Sequence, residues 1–390
     1  MQDFRDRAFL LRHMRDTLRF YDARVIDPAG GFRQNYFDDG RTFDDAHKHL
    51  VSSCRLVINY CLDERLLDTS HARECWQHGL AFVRDAHWQP NRQGYLWAIG
   101  EDGNDQTNHC YGLAFVVLMY AMALERGESS AEPDLYTAWS IMEDRFWQPD
   151  AGLYADESSA DWRHLSDYRG QNCNMHACEA AIFAFEATRD RRFLERAFEL
   201  AQTIAVSQAG KAGGLIWEHF KPDLSLDWDY NRDDPTNLYR PWGFQPGHQT
   251  EWAKLLLLLY RHQPEAWLCD RAVELFDRAV AAAWDDEHGG LFYGFDPDGN
   301  ICDDTKYFWV QAESFAAAAM LGSVTADDVY WDWYTRIWEY CWAHFVDHEH
   351  GAWYRILSAD NCKLTDRKSL AGAKCDYHNL GACAIALEYV

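Results

Sequence analysis

The feature that most constrains the fold of this chain is a sixfold repeat. Six segments share an acidic or polar turn, a glycine, and then alternating aromatic and apolar residues, as in DEHGGLFYGFDPDG and KAGGLIWEHF. Their marker glycines recur about every 60 residues, at Gly31, Gly94, Gly152, Gly214, Gly290 and Gly351. Each interval is long enough for two helices and their connections. The repeat therefore predicts six similar helical units.

The segments between the markers have helical periodicity. Twelve stretches place apolar residues three and four positions apart. The Ala- and Leu-rich stretches, such as WAKLLLLLY, ACEAAIFAFEA and ESFAAAAML, are expected to be inner helices, and charged ones such as FLERAFELAQTI outer helices. We therefore predict an all-α fold, an (α/α)6 barrel of six helical hairpins with short β-hairpin arms.

An open α-solenoid with a binding face is the alternative to a closed barrel. The six units differ strongly in their loops, and the chain lacks a polar capping repeat, which favours a closed ring. No linker rich in Pro, Gly or Ser divides the sequence. Residues 1–390 are therefore predicted to form one catalytic domain.

Composition narrows the range of partners. The net charge of -25, from 62 acidic and 37 basic residues, argues against binding to nucleic acid or to an anionic membrane surface. The 12 cysteines are scattered and form no CxxC pair. Apolar runs stay short of the roughly 18 residues of a membrane span, and the N-terminus does not resemble a signal peptide. We expect a cytoplasmic protein, and its oligomeric state stays open, a homo-oligomer included.

Aromatic residues make up 15% of the chain and include 18 Trp. Much of this content is expected in the core, because aromatic side chains bury large areas. Aromatic rings also stack on the apolar faces of sugars. A carbohydrate pocket is therefore a reasonable expectation.

Reactive side chains collect at the starts of the apolar helices. Three of these starts carry a histidine, namely His176, His248 or His378. In a closed barrel the helix starts share one rim, where backbone N–H groups favour developing negative charge. We predict a site at this rim with the following substrate contacts: Arg55, Tyr111, Asn172, Arg240, Glu251, Trp309, Glu313 and Asp376. A structural salt bridge for Arg55 and core packing for Tyr111 are the alternatives.

The histidines indicate proton transfer. Histidine has the unperturbed pKa nearest neutrality, so two of them facing one substrate carbon can accept and return a proton. Abstraction of a proton next to a carbonyl builds an enediolate, which cations and hydrogen-bond donors stabilise. Arg55, Arg240 and the amide of Asn172 are candidates for that role.

Glutamates accompany the histidines. His176 and Glu179 lie on one stripe of an Ala-rich helix, and His248 and Glu251 share a face of another. Glu251 and Glu313 are expected to hold histidine tautomers and to bind sugar hydroxyls. In particular, Glu251 is expected to orient His248.

Four stretches, NCNMHACEAA, GFQPGHQTEWAKLLL, WVQAES and KCDYHNLGAC, resemble the N-acylglucosamine 2-epimerase superfamily in their order and in their helices. PGHxxEW is the most specific of these motifs, and the resemblance covers nearly the whole chain. It implies an (α/α)6 barrel that acts on a free monosaccharide and uses no metal or other cofactor.

The resemblance also implies roles for individual residues. His248 and His378 become the catalytic acid/base pair, His176 assists sugar binding or ring opening, and Arg55 holds O1 or O2 of the sugar. It places the following side chains in the pocket: Tyr111, Asn172, Arg240, Glu251 and Trp309.

One departure from the motif points to a branch of the family. Sugar 2-epimerase branches carry a proline soon after the last histidine, whereas this chain reads YHNL at Tyr377–Leu380. This pattern is similar to the mannose and sulfoquinovose isomerase branch. We therefore expect interconversion of D-mannose and D-fructose, with lyxose and xylulose as further substrates. A 2-epimerase acting on mannose and glucose, N-acylglucosamine or cellobiose is the alternative.

Other classes fit the sequence less well. A glycoside hydrolase needs two carboxyl groups across the scissile bond, whereas the helix starts carry mainly histidines and arginine. The metal-like patterns at 47–49 and 348–350 lack HExxH spacing, and we expect them on the surface. A sugar-binding protein without catalysis remains an alternative. The long insert at 217–242 is predicted to form a lid.

Overall fold

The computed structural model describes residues 2–390, and within them twelve long helices form outer and inner sets. The outer helices are α1 (Arg7–Asp22), α3 (Ala72–Phe82), α5 (Ala131–Arg145), α7 (Arg191–Ala201), α10 (Ala266–Ala283) and α12 (Asp328–His344). The inner helices are α2 (Leu50–Leu66), α4 (Cys110–Glu125), α6 (Gln171–Thr188), α9 (Pro246–His262), α11 (Phe308–Thr325) and α13 (Tyr377–Ala386). π-Helical segments Val83–His87 and Gln202–Gln208 extend α3 and α7, and the one-turn α8 (Ala209–Lys211) follows the second.

The inner helices form a closed ring. Each packs on the next, from α2 through α4, α6, α9 and α11 to α13, and α13 packs back on α2. The outer helices cover this ring, with α3, α5, α7, α10 and α12 each packed on the inner helix that precedes it and α1 on α13. The predicted (α/α)6 barrel is confirmed, and an open solenoid is excluded because the first and last inner helices touch.

Sequence composition explains which helices lie inside. In α11 every residue from Val310 to Gly322 is buried, which suits its Ala-rich sequence. In α7 burial is confined to one stripe that includes Phe193, Ala197 and Leu200. A helix that is apolar all round must be covered on all sides, whereas an amphipathic helix can face water.

Short antiparallel ladders join the loops at the rim where the inner helices begin. The three-stranded sheet has the order β17 (Arg367–Ser369), β1 (Asn35–Phe37), β2 (Thr42–Asp44). The two-stranded ladders are β3 (Lys48–His49) with β6 (Ala98–Ile99), β4 (Trp88–Gln89) with β5 (Gly94–Tyr95), β7 (Asn108–His109) with β10 (Glu157–Ser158), β8 (Trp147–Gln148) with β9 (Leu153–Tyr154), β11 (Arg169–Gly170) with β12 (His219–Phe220), β13 (Gly294–Phe295) with β14 (Ile301–Asp303), and β15 (Lys306–Tyr307) with β16 (Ile356–Leu357).

These ladders link neighbouring units around the rim. The strands that lead into α2, α4, α6 and α11 pair with the arm of the following unit, as β3 does with β6. The pairing of β17 with β1 joins the last unit to the first. The rim is therefore a continuous ring of backbone hydrogen bonds.

A buried ion pair recurs with the repeat. Each of three units joins the aspartate of its turn to a lysine 21 residues later. The pairs are Asp27 with Lys48 at 2.6 Å, Asp285 with Lys306 at 2.7 Å, and Asp347 with Lys368 at 2.5 Å. In another unit Gln148 and Arg169 have the same spacing and a 2.8 Å hydrogen bond. The sequence repeat is thus also a repeat of one polar contact between a turn and the strand near the next inner helix.

In each of three inner helices, an amide side chain one turn from the helix start bonds the arm that precedes the helix. We call this pair of hydrogen bonds a clip. The amide accepts from the backbone N–H of one arm residue and donates to the C=O of the same residue. The pairs are Asn174 with Tyr154, Gln249 with Ile216, and Gln311 with Leu291, at 2.7–3.1 Å. Because both backbone groups are buried, these clips satisfy polar atoms that would otherwise be unpaired.

Two further features of the structure are the state of the cysteines and the character of the helices with respect to a membrane. All twelve cysteines carry free thiols, most of them buried. Among residues 2–390, none of the helices has the length and apolar character that a bilayer crossing requires.

Replacing Gln249 by Leu is expected to destabilise the protein. The substitution leaves the N–H and C=O of Ile216 without partners, at about 1–3 kcal/mol for each buried group. Urea unfolding followed by circular dichroism would measure the loss. Gln77→Leu, on the exposed face of α3, is the control. Equal stability of the two variants would contradict a structural role for the clip.

Candidate active site

A cavity of about 820 Å³ opens at the rim where the inner helices begin. Every inner helix contributes to its lining. Nine of the predicted site residues line it: Arg55, Tyr111, Asn172, His176, Arg240, His248, Glu251, Trp309 and His378. The barrel thus brings together side chains that are up to 323 residues apart, Arg55 and His378.

Two predicted substrate contacts lie away from the cavity wall. Glu313 points behind it, where its carboxylate bonds the ammonium of Lys254 at 2.6 Å. Asp376 is fully buried and accepts hydrogen bonds at 2.5 Å from Tyr21 and from Lys374. Unlike the other predicted site residues, these two carboxylates are therefore not part of the cavity lining. Their nearness to site residues in sequence did not reveal which way each side chain points.

Three histidines of the cavity wall have the same polar support. Each bonds a buried glutamate through Nδ1: His176 with Glu179 at 2.9 Å, His248 with Glu218 at 2.9 Å, and His378 with Glu313 at 2.7 Å. A carboxylate acceptor assigns the proton of the neutral ring to Nδ1. In that tautomer Nε2 has a free lone pair and can act as a base.

The glutamate that holds His248 was not the predicted one. Glu218 lies in the arm before α9, 30 residues from His248 in sequence, and both its carboxylate oxygens are 2.9 Å from Nδ1. Glu251, expected to orient His248, makes no hydrogen bond to it. Both carboxyl oxygens of Glu251 are buried and lack a hydrogen-bond partner within residues 2–390. Burial, and next the charge of Glu313, raises the pKa of Glu251 well above its ordinary value.

The indole of Trp309 packs against two of the histidines. The ring centroid of Trp309 is 5.0 Å from that of His248 and 5.7 Å from that of His378. The PGH sequence makes this packing possible, because a Cβ at Gly247 would lie 2.5 Å from the Trp309 ring. His248 and His378, which both line the cavity, therefore share one aromatic neighbour.

Arg55 lacks a carboxylate partner within ion-pair distance in the part of the chain that the structure describes. Its guanidinium donates to the hydroxyl of Tyr111 at 2.9 Å and lies over the rings of Phe115 and Tyr377. The alternative of a structural salt bridge is thus excluded. A buried cation without a counter-charge is suited to bind an anionic oxygen of a ligand.

The long insert lies at the cavity mouth, as a lid would. Tyr230, Asn231 and the stretch 237–241 line the opening. Arg240 bonds the hydroxyl of Tyr230 at 3.0 Å and pairs with the carboxylate of Glu157. These contacts tie the insert to the adjacent unit.

The two segments whose histidines suggested a metal site, 47–49 and 348–350, differ in their exposure to solvent. His348 and His350 are exposed, as expected. His49 is buried in the cavity wall and Lys48 forms one of the repeat ion pairs, which corrects the expectation that 47–49 is a surface segment.

Two other groups of buried side chains could hold a metal ion: His176, Glu179 and Glu251, and Glu251, Glu313 and His378. The ammonium of Lys254 lies among these carboxylates, 2.6 Å from Glu313 and 3.7 Å from both Glu179 and Glu251. The chain itself therefore supplies a positive charge at this position.

His378 is expected to stay neutral from pH 7 down to about pH 5, because burial lowers its pKa to about 4 against the opposing effect of Glu313. NMR of protein labelled with 15N-histidine would show neutral-ring Nδ1–H and Nε2 resonances that do not move in this range. His378→Gln identifies the signals. A titration midpoint near the ordinary value of 6.5 would contradict the assignment.

Comparison with known proteins places this chain in a family. The family model described as N-acylglucosamine 2-epimerase (GlcNAc 2-epimerase) matches residues 30–382. A D-mannose isomerase of Marinomonas mediterranea is 48% identical over 99% of this chain and 98% of its own length, and one of Thermobifida fusca is 35% identical over 90% and 87%. A solved structure described as D-mannose isomerase superposes with a TM-score of 0.98, at 47% identity and with all of both chains covered. The chain belongs to the N-acylglucosamine 2-epimerase family.

Proposed function

We propose that the protein is an aldose–ketose isomerase that interconverts D-mannose and D-fructose. The main support is the 48% identity, over nearly the full length of both chains, to a relative called D-mannose isomerase. The site adds chemical support, because three histidines with carboxylate-bound Nδ1 atoms and an arginine without a counter-charge line one cavity. Lyxose and xylulose are the further pair expected from the sequence.

The proposed reaction is a proton transfer between adjacent carbons. In the open-chain aldose, Nε2 of one of the pair His248 and His378 removes the C2 proton. The C–H electrons form the C1=C2 bond, and the carbonyl electrons move to O1. Return of a proton to C1, with O1 gaining a proton and O2 losing one, gives the ketose.

The proposal assigns roles to the other lining residues. Arg55 stabilises the enediolate at O1 and O2, because its guanidinium is buried and lacks an ionic partner among the described residues. His176 assists sugar binding or ring opening. Tyr111, Asn172 and Glu251 supply hydrogen bonds to hydroxyls, and the Oδ1 atom of Asn172 lacks a partner within residues 2–390.

A sugar 2-epimerase is the second candidate. It requires return of the proton to the opposite face of C2, for which the cavity offers a second histidine. The relatives called D-mannose isomerase at 48% and 35% identity favour the isomerase.

The proposal includes three further expectations, which concern domain organisation, cellular location and cofactors. Residues 1–390 act as one catalytic domain in the cytoplasm, and turnover needs no added metal or cofactor. The buried ammonium of Lys254 supports the last expectation, since it supplies positive charge where the carboxylates converge. Activity in the presence of a chelator is the corresponding test.

Incubation of the wild-type protein with D-mannose in D2O, followed by NMR, tests the proposal. Appearance of D-fructose is the expected result, with deuterium at C1 wherever the abstracted proton has exchanged with solvent. D-Glucose alone would indicate epimerisation, and an unchanged sugar would contradict both candidates.

His248→Gln and His378→Gln are expected to lose nearly all turnover, whereas a carboxylate-driven hydrolase would keep part of its activity.

Glu218→Gln is expected to lower kcat for mannose by about 100-fold or more, with a smaller change in KM. The amide can donate to Nδ1 of His248 and so favour the wrong tautomer, while the shape of the site is kept. Glu186→Gln is the matched control, because Glu186 bonds His262 at 2.8 Å outside the cavity. Equal rates for the two variants would contradict the role of Glu218.

A further inference from the structure

Four buried charged side chains meet behind the cavity wall. Lys254 of α9 lies among Glu179 of α6, Glu251 of α9 and Glu313 of α11, and all four are at most 6% exposed. Its ammonium is 2.6 Å from Glu313 and 3.7 Å from the other two carboxylates. Each of these inner helices thus sends a charge into the interior of the barrel.

Packing alone does not account for a lysine here. Lys254 directly precedes the five leucines 255–259, all buried. Burying an ammonium among carboxylates carries a desolvation penalty that an apolar side chain would avoid. The three carboxylates are also unequal in their contacts, since Glu179 and Glu313 hold histidines and Glu251 holds none.

We propose that Lys254 is a positioning residue that keeps Glu179 and Glu313 ionised, so that His176 and His378 present an unprotonated Nε2 to the sugar. This inference rests on the proposed function. Lys254 lines a separate small cavity on the far side of this cluster and does not line the sugar cavity, so it acts only through the glutamates.

The reason lies in the hydrogen bond between Glu313 and His378. An ionised carboxylate can only accept, which fixes the proton on Nδ1 of His378. A protonated Glu313 can instead donate its O–H to Nδ1, which forces the ring proton to Nε2 and removes the base. Without an ammonium nearby, three neighbouring carboxyl groups would hold more protons.

The groups that face Glu313 come from three inner helices. They are Lys254 and Glu251 of α9, His378 and Tyr377 of α13, and Glu179 of α6. Arg55 of α2 and Tyr111 of α4 face the cluster from the side of Glu251.

These surroundings shift the pKa values of the three glutamates in different directions. Burial opposes ionisation of Glu179 and Glu313, but Lys254 and the histidine hydrogen bonds outweigh it and lower both pKa values, that of Glu179 to about 2. Glu251, without a hydrogen-bond partner among the described residues, has its pKa raised by burial and by Glu313. Glu251 is therefore the carboxyl group of the cluster that most readily holds a proton.

Lys254→Met tests the proposal, because it removes the charge and suits the apolar run that follows. We expect the acidic limb of the pH profile to rise by about one to two pH units, which lowers kcat for mannose by about 10–100-fold at pH values on that limb. KM should change little, since the cavity wall is intact. Lys254→Arg keeps the charge and should keep the wild-type limb.

Lys306→Met is the matched control. It removes a buried lysine and its 2.7 Å ion pair with Asp285, but Lys306 contacts neither of the glutamates that hold His176 and His378. Its acidic limb should stay at the wild-type pH. Should Lys254→Met fail to fold, Lys254→Gln removes the charge and keeps a hydrogen-bond donor to Glu313. A folded Lys254 variant without charge that keeps the wild-type limb would overturn the proposal.

NMR of free, 15N-histidine-labelled enzyme separates this inference from the proposed function. In the uncharged Lys254 variants the pH at which the His378 signals change from the Nδ1–H to the Nε2–H tautomer should rise with the acidic limb, by about one to two pH units. This result needs no substrate, so it stands even if the wild type fails to convert mannose. A folded variant in which the tautomer changes at the wild-type pH would overturn the role of Lys254 whatever the substrate is.

Discussion

The site depends on the clip that joins the first turn of an inner helix to its arm. Gln249, Gln311 and Asn174 each satisfy both backbone groups of one buried arm residue. Because each clip residue is within two positions of a cavity residue, it fixes where that residue enters the rim. His248 is thus placed by its neighbour Gln249. The closed ring of inner helices then sets the distances between units.

Histidine chemistry at this rim requires buried charge, and buried charge requires compensation. A carboxylate on Nδ1 selects the tautomer with a free Nε2, but three glutamates in a dry interior repel one another. Lys254 lies within ion-pair distance of all three, and Glu251, whose pKa is raised by burial and by the charge of Glu313, is the one that most readily holds a proton. The barrel interior is therefore less stable than an apolar one would be, and the gain is a set of histidines with defined proton positions.

Much of the fold and of the site could be predicted, because both repeat along the chain. Helical periodicity and composition identify the twelve helices and separate inner from outer ones, and a polar residue at an inner helix start belongs to the rim in any closed barrel. That logic correctly placed Arg55 and His176, among others, in the cavity wall. It failed for Asp376, which has the same position in sequence but turns to Tyr21 and Lys374. A further signal in the sequence is Lys254, a charged residue directly before five leucines, which indicates a buried charge inside the barrel.

By itself the sequence determined the architecture, the rim and the histidines, because helical period and repeat length are local properties that neighbouring residues encode. Only the tertiary structure decided which carboxylate holds which histidine. Glu218 and not Glu251 holds His248, and Glu313 holds His378 instead of facing the sugar. These pairs join residues 30 and 65 positions apart in sequence, so their contacts follow from how the arms and helices pack around the ring. The electrostatic balance of the site is therefore a property of the closed barrel.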